Sequence, residues 1–353
     1  MLRRFTRPNR AVLIAGAVAF MTSSPAAEQA GGQKPLNEAR KREAQTLVEL
    51  VDRAMALPEA TDPGLRWYND FRKAPDNRVY VPFTVLMPAD TAGSIVMYTR
   101  VVQGTGAPPP PPEAKPDKPD AKAPAKEDAP EFAFEDLHFV NPSQTAGRLN
   151  GAFTVAPGDY TVYVALKPEG ATAPAGGAVP VRLIRQQISA PDFWGTELMI
   201  SGVTLAERIQ QLSAPLTAEQ QVERPYTVGR TEIIPSFERA FTKKDVLRIT
   251  FLIYNAQGDG TNKPDVEVEY SFFRKNADSE AYFNRTPPQL LNEKTLPKEF
   301  DLKAGHLLVA RQDLPLAQFP EGEYRVEVTV RDKRSGKSLQ ASAPFTLSAT
   351  ATP

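Results

Sequence analysis

Apolar and polar residues alternate along much of this chain, and nowhere more regularly than in Tyr324-Arg325-Val326-Glu327-Val328-Thr329-Val330-Arg331. Side chains of an extended strand point to opposite faces by turns. Tyr324, Val326, Val328 and Val330 therefore form one buried face, and Arg325, Glu327, Thr329 and Arg331 one solvated face. The turn Pro320-Glu321-Gly322-Glu323 precedes this strand, and Pro157-Gly158-Asp159-Tyr160-Thr161-Val162-Tyr163-Val164 repeats the phrase. A Tyr that opens a late strand just after a tight turn is the footprint of the tyrosine corner in immunoglobulin-like sandwiches. Two copies predict two sandwiches.

Further runs with strand character fill out both. In the first half they are Arg78 to Val85, Ser94 to Val102 with Ile95, Met97 and Thr99 on one face, Phe132 to Val140, Gly151 to Val155 and Ala178 to Ile184. Pro82 lies inside the first of these, which predicts an edge strand or a bulge there. The second half offers Leu198 to Ile200, Tyr226 to Val228, Val246 to Tyr254, Val266 to Phe273, His306 to Ala310 and Phe345 to Leu347 besides the Tyr324 strand. Seven short strands separated by turns is the count expected of one immunoglobulin-like domain. Pro191-Asp192-Phe193-Trp194-Gly195 marks the junction between the halves.

Ahead of the strands the period changes. Ala44, Leu47, Val48, Val51, Ala54 and Met55 recur at helical spacing between Asn37 and Ala56, which predicts one amphipathic helix ended by Pro58 and docked on the first sandwich. Trp67 and Phe71 are one helical turn apart and are expected to cover the sandwich end. Residues 1–26 read as a secretory signal: basic residues up to Arg10, the apolar run Ala11 to Met21, and small residues at Ser24 and Ala26. That run is short for a membrane span, so no stable span is expected once the signal is cleaved.

Composition sharpens the compartment and the linkers. The 353 residues include 34 prolines and no Cys. Removing the signal segment takes four arginines and no acid, which leaves 38 basic against 42 acidic residues and a net charge of −4. Nothing in that balance suits nucleic acid, which calls for a basic face. The lack of Cys excludes disulfides, thiolate metal sites and a Cys nucleophile. Residues 104–130, rich in Pro, Ala, Lys, Asp and Glu, hold too little apolar surface to offset ordering entropy and are expected to form a disordered insert between neighbouring strands.

Several phrases resemble bacterial secreted proteins that carry immunoglobulin-like modules, as in the C-terminal regions of GWxTD-type and von Willebrand A-related proteins. They are Arg78-Val79-Tyr80-Val81-Pro82-Phe83-Thr84, Tyr226-Thr227-Val228-Gly229 with Ile233-Ile234-Pro235, Leu252-Ile253-Tyr254-Asn255, Lys263-Pro264-Asp265-Val266, and Gly322-Glu323-Tyr324-Arg325-Val326 with Asp332-Lys333 and Gly336-Lys337. The resemblance covers mainly residues 220–348, and its motifs are structural. Phe193-Trp194-Gly195-Thr196-Glu197 is not Gly-Trp-x-Thr-Asp, and Asp-x-Ser-x-Ser is absent, so no functional residue carries over.

Candidate chemistry is thin. His138 and His306 are the only histidines, they fall in different predicted domains, and neither has metal-ligand spacing. Gly-x-Ser-x-Gly and the phosphate-binding Gly loops are missing. Asn255 to Asn262 clusters oxygens but lacks the calcium-loop spacing, and a turn between strands accounts for it. Paired carboxylates could serve glycoside hydrolysis, and Tyr163, Phe273, Tyr282 and Phe283 could stack on sugars.

Together these readings predict a mostly β chain of two immunoglobulin-like or fibronectin III-like sandwiches with a short N-terminal helix: signal 1–26, linker and helix 27–75, first sandwich 76–190 with the insert 104–130, second sandwich 191–353. The expected role is non-catalytic interaction or structural support in the cell envelope, periplasmic or secreted. The expected partner is an envelope or extracellular protein. Binding of envelope or extracellular polysaccharide is the alternative. No catalytic, metal or cofactor-binding residue is assigned, and no cofactor is expected.

Overall fold

The computed structural model describes residues 38–56, 61–88, 93–104, 132–140, 147–171, 180–276 and 279–349. The signal segment 1–26 and, beyond Gly104, the insert 104–130 lie outside the described residues. The chain is mostly β, built as two sandwiches preceded by a helix, with every strand pair antiparallel except β12 with β19 among the described residues. Among the described residues no helix is long and apolar enough to cross a membrane.

The first sandwich sets one sheet of β1 (Arg66–Asn69), β2 (Arg72–Ala74), β3 (Arg78–Leu86) and β6 (Arg148–Val155) against another of β4 (Ile95–Gln103), β5 (Phe134–Val140), β7 (Gly158–Pro168) and β8 (Arg182–Ala190). The strand order is β5-β4-β7-β8 in the second sheet, while β3 lies between β6 and the β1–β2 edge in the first. Val81, Phe83, Met97, Phe153, Val162 and Val164 interdigitate between them. Strands β4 and β5 are antiparallel neighbours, with Val101 opposite Phe134, so residues 105–131 connect two adjacent strands of one sheet.

Pro82 is not on an edge strand, because β3 is paired on both sides. No bulge is found either, since Asn69 lies opposite Phe83 and Arg72 opposite Tyr80 in one continuous register. The Pro82 carbonyl accepts from Asp70 N, so the missing N–H faces the same neighbour, which breaks there into β1 and β2. A strand cannot keep its ladder opposite a residue with no donor. Asp70 and Phe71 form that break. The sandwich therefore begins at Arg66 rather than 76, and Trp67 is in a strand rather than one turn of helix from Phe71. Its ring stacks on Phe83 with centroids 4.6 Å apart. β8 lies later than Ala178 to Ile184 and ends at Ala190.

The helix, α1 (Glu38–Ala56), lies on the outer face of the β5-β4-β7-β8 sheet, with Leu47, Val51 and Ala54 packed against Val96, Tyr98, Leu137, Tyr163 and Leu183. Arg100 projects from β4 into this layer and is fully buried. Its Nη1 donates to Asp52 of α1 at 2.5 Å, while Nε and Nη2 donate to Glu135 Oε1 at 3.1 and 2.8 Å.

The second sandwich pairs β9 (Met199–Ile200), β10 (Thr204–Gln211), β11 (Thr231–Pro235), β13 (Val246–Tyr254) and β17 (Leu308–Pro315) in one sheet. The other holds β12 (Ala240–Thr242), β14 (Val266–Lys275), β15 (Glu280–Arg285), β16 (Gln289–Leu291), β18 (Gly322–Asp332) and β19 (Ser338–Ser348), in the main order β12-β19-β18-β14-β15. A six-residue helix, α2 (Ala218–Glu223), is capped by Thr217 and Gln220 in a reciprocal box. Tyr226 to Val228 is not a strand; Tyr226 is in a turn and Val228 forms only an isolated bridge to Thr231.

Both tyrosine corners are present. Tyr160 Oη donates to Ala156 O at 2.9 Å and Tyr324 Oη to Pro320 O at 2.6 Å, each four residues back across the turn. Tyr324, Val326, Val328 and Val330 are all buried, as their alternation requires. The opposite face of β18 and β14 is a ladder of ion pairs, including Arg325 with Glu280 and Glu327, and Arg331 with Glu267. Such an outer face needs no cover.

Candidate functional site

The break opposite Pro82 leads to the junction. It frees the Asp70 carboxylate from strand geometry, and Oδ1 accepts from Phe71 N and, across the junction, from Gly202 N, both at 2.8 Å. Oδ2 takes Arg72 Nε at 3.3 Å. Burial pushes the Asp70 carboxyl up against the pull of Arg72 and the two backbone donors. Around this pair the sandwiches interlock: Tyr80 Oη donates to Pro225 O, Thr84 Oγ1 meets Tyr226 Oη at 3.1 Å, and Tyr254 Oη accepts from Lys73 N. Leu252 and Tyr254 of β13 belong to the first sandwich's core cluster, and the Phe193 ring packs 4.7 Å from that of Tyr254.

A Cβ at Gly202 would lie 2.6 Å from Asp70 Oδ1, so any larger residue there must displace that buried carboxylate. Gly202→Ala is expected to push the carboxylate off the Gly202 amide and destabilise the chain by roughly 1–3 kcal/mol, the range for overpacking a close contact. Urea unfolding of wild type and variant measures it. An unchanged midpoint would mean that the contact gives way freely.

Beside the junction a groove of about 610 Å³ opens over the outward face of β13 and β17. Three features build it. Inward residues Ile249, Phe251 and Ile253 fill the core of the second sandwich, which leaves Thr250 and Leu252 facing outward, opposite Arg311 and Val309 of β17. Next, β10 pairs with β13 only from Thr204 to Ala206, and after a bulge at 206–208 it pairs only with β11. A bulge bends its strand, and Arg248 Nη1 holds this one through Glu207 O at 2.8 Å. The β10–β11 ribbon sets Ile209 opposite Ile233 and Gln211 opposite Thr231, and these four side chains form one wall. Third, residues 300–307 form the other wall, where Asp301 Oδ1 accepts from Lys303 N and Ala304 N and His306 Nδ1 accepts from Asp301 N at 2.9 Å.

The lining is mostly apolar, with Gln211, Thr231 and His306 as polar groups on the walls and charge on the floor. Leu307 and Val309 are 36% and 43% exposed on the rim. Arg72 lines the floor with its side chain nearly sealed, yet Nη1 is buried without an acceptor. Arg311, also on the groove, is held bidentately by Asp313 at 2.9 and 2.8 Å. Arg72 therefore carries a sealed cationic donor without an acceptor beside the groove. Sequence reasoning singled out none of these residues as a site.

Of the residues it did consider, His306 lies on the groove and the others fall elsewhere. His138 Nε2 lies 2.5 Å from Asp136 Oδ2 on the first sandwich, and His306 is on the groove rim of the second, so they do not converge. Among the described residues no group of three or more His, Asp or Glu is placed to hold a metal ion. In the 255–262 turn, Asp259 Oδ1 accepts from Thr261 N, Thr261 Oγ1 and Lys263 N, and Oδ2 from Arg334 Nη2. The Lys263 amide and these other donors hold its carboxyl at about 2. Of the four rings considered for stacking on sugars, Tyr163 is buried under α1 and Phe283 packs against Phe319 and Tyr324. Phe273 is half-buried and covered by Arg325 at 4.5 Å. Tyr282 is 58% exposed but stands at 81° to Phe273, which is an edge contact rather than a flat platform.

No family model matches the chain, and no curated protein does. Among solved structures it is similar to a Salmonella alpha-2-macroglobulin mutant (13% identity, TM-score 0.20) over 83% of this chain and 17% of that one. It is also similar to a calcium-binding mutant of Bacteroides uniformis beta-glucuronidase 2 (11% identity, TM-score 0.22) over 76% of this chain and 26% of that one. The chain thus spans about a sixth to a quarter of the solved chains it is similar to.

Proposed function

We propose that this chain is a non-catalytic binding protein of the cell envelope, exported through its basic and apolar first 26 residues, with the junction groove as its binding surface. The observation that carries the reading is the apolar strip of Leu307 and Val309 exposed on the rim of a groove whose base is fixed by two interlocked sandwiches. Exposed apolar patches framed by polar residues mark interaction sites, and concave apolar sites with a few convergent polar groups are the usual form of ligand pockets. The expected partner is an envelope or extracellular component.

The test is capture from an envelope extract with the exported protein, with Val309→Asp as the comparison. Val309 is partly exposed on a paired strand, so the change costs only about 1 kcal/mol of stability and places a carboxylate on the apolar rim. A band captured by wild type and lost by Val309→Asp supports the reading. Equal capture by both removes the groove from the function.

A further inference from the structure

We propose that the junction groove binds a single-chain aliphatic carboxylate, with Arg72 as counter-charge to the head and Leu252, Ile209, Ile233 and Val309 as the bed of the chain. The inference rests on the reading of the groove as the binding surface. Four observations select this chemistry. The volume, about 610 Å³, falls within the range of small-ligand sites, roughly 300–1,000 Å³, and the mostly apolar lining suits an alkyl chain. The floor is a sheet face with its strands already paired, so it offers side chains rather than an open backbone edge.

The third observation is the Arg72 guanidinium. Its Nε is taken by Asp70, its Nη1 has no acceptor, and a buried donor without a partner calls for one. Guanidinium groups match planar carboxylates, two N–H donors to two oxygens. The fourth is Asp70 itself, which lies 3.3 Å from Arg72 on the groove floor. A head with two negative charges would meet that carboxylate at close range, and a monoanion meets it with half the repulsion. This favours carboxylate over phosphate.

Dodecanoate, held below its micelle concentration, is the probe, with dodecanol, dodecyl phosphate and dodecyltrimethylammonium as matched chains. Titration calorimetry on the full chain is expected to show one saturable dodecanoate site. Dodecanol should bind about tenfold more weakly or worse, the loss expected when a charge-assisted hydrogen bond goes. Dodecyl phosphate should also bind more weakly than dodecanoate, and the ammonium should not bind. Arg72→Met and Val309→Asp should each lose the site. Arg72 is central to the junction, so if Arg72→Met fails to fold, Val309→Asp and the head-group series decide. Equal binding of dodecanol, or binding indifferent to Val309→Asp, overturns the inference. Absence of dodecanoate binding together with Val309-dependent capture from envelope extract overturns it alone and makes the groove a polypeptide-docking site. Absence of both removes the binding reading as well.

Discussion

Tyr324→Ala is expected to destabilise the second sandwich by about 3–5 kcal/mol, the cost of deleting a large buried aromatic, and Tyr324→Phe by about 1–3 kcal/mol. The ring is buried in a nest of aromatics. It stacks on Phe345 at 14° with centroids 5.3 Å apart and meets Phe283 and Phe319 edge-on. Truncation to Ala leaves a cavity that these rigid rings cannot close. Removing the hydroxyl alone strands the Pro320 carbonyl that it bonds at 2.6 Å. Urea unfolding of the three proteins gives the two differences. Partner capture should survive Tyr324→Phe at temperatures where the chain is folded, since the corner is in the core and not on the groove. Unchanged stability with lost capture would turn Tyr324 into a recognition residue and undo the corner assignment.

The second large effect is an asymmetry under α1. Glu135→Ala is expected to cost about 2–3 kcal/mol, because it strips a fully buried guanidinium of the acceptor for two of its nitrogens and leaves it Asp52 alone. The Tyr98 hydroxyl loses the same acceptor. Arg100→Met should cost far less. It replaces the charge by an apolar chain of similar length, and the partners left behind have water within reach: the Asp52 side chain is 51% exposed and that of Glu135 28%. Exchanging a buried pair for apolar groups is often near neutral, whereas removing one partner is not. Thermal unfolding of the two single variants ranks them. Equal losses would show that Arg100 is hydrated in solution.

The strand faces were legible because alternation is a local property. Val246 to Tyr254 is β13 to the residue, and both corners stand where a turn delivers a Tyr. What escaped has non-local causes. β10 reads Thr-Leu-Ala-Glu-Arg-Ile-Gln-Gln, whose pattern changes face at the bulge, so neither half alternates long enough to signal a strand. β15 is almost wholly exposed and holds its place by pairing with β14. The groove was illegible for the same reason. Asp70 and Arg72 meet Ser201, Thr250 and Val309 only after two sandwiches have docked, and nothing in the order of residues announces that meeting. The nearest local signal was Pro82, which marks the break that points Asp70 outward.

The docking of α1 fixes an order of events in synthesis. The helix is the first described element to leave the ribosome, yet its seat uses Val96 and Tyr98 of β4, Leu137 of β5, Tyr163 of β7 and Leu183 of β8. That seat is incomplete until more than a hundred further residues have emerged. A helix in a protein draws most of its stability from packing its apolar face, and through that interval Leu47, Val51 and Ala54 of this 19-residue helix have no cover. During synthesis the segment that a chaperone would hold longest is therefore this one, and the closing of α1 over β8 is the step that reports the first sandwich as finished.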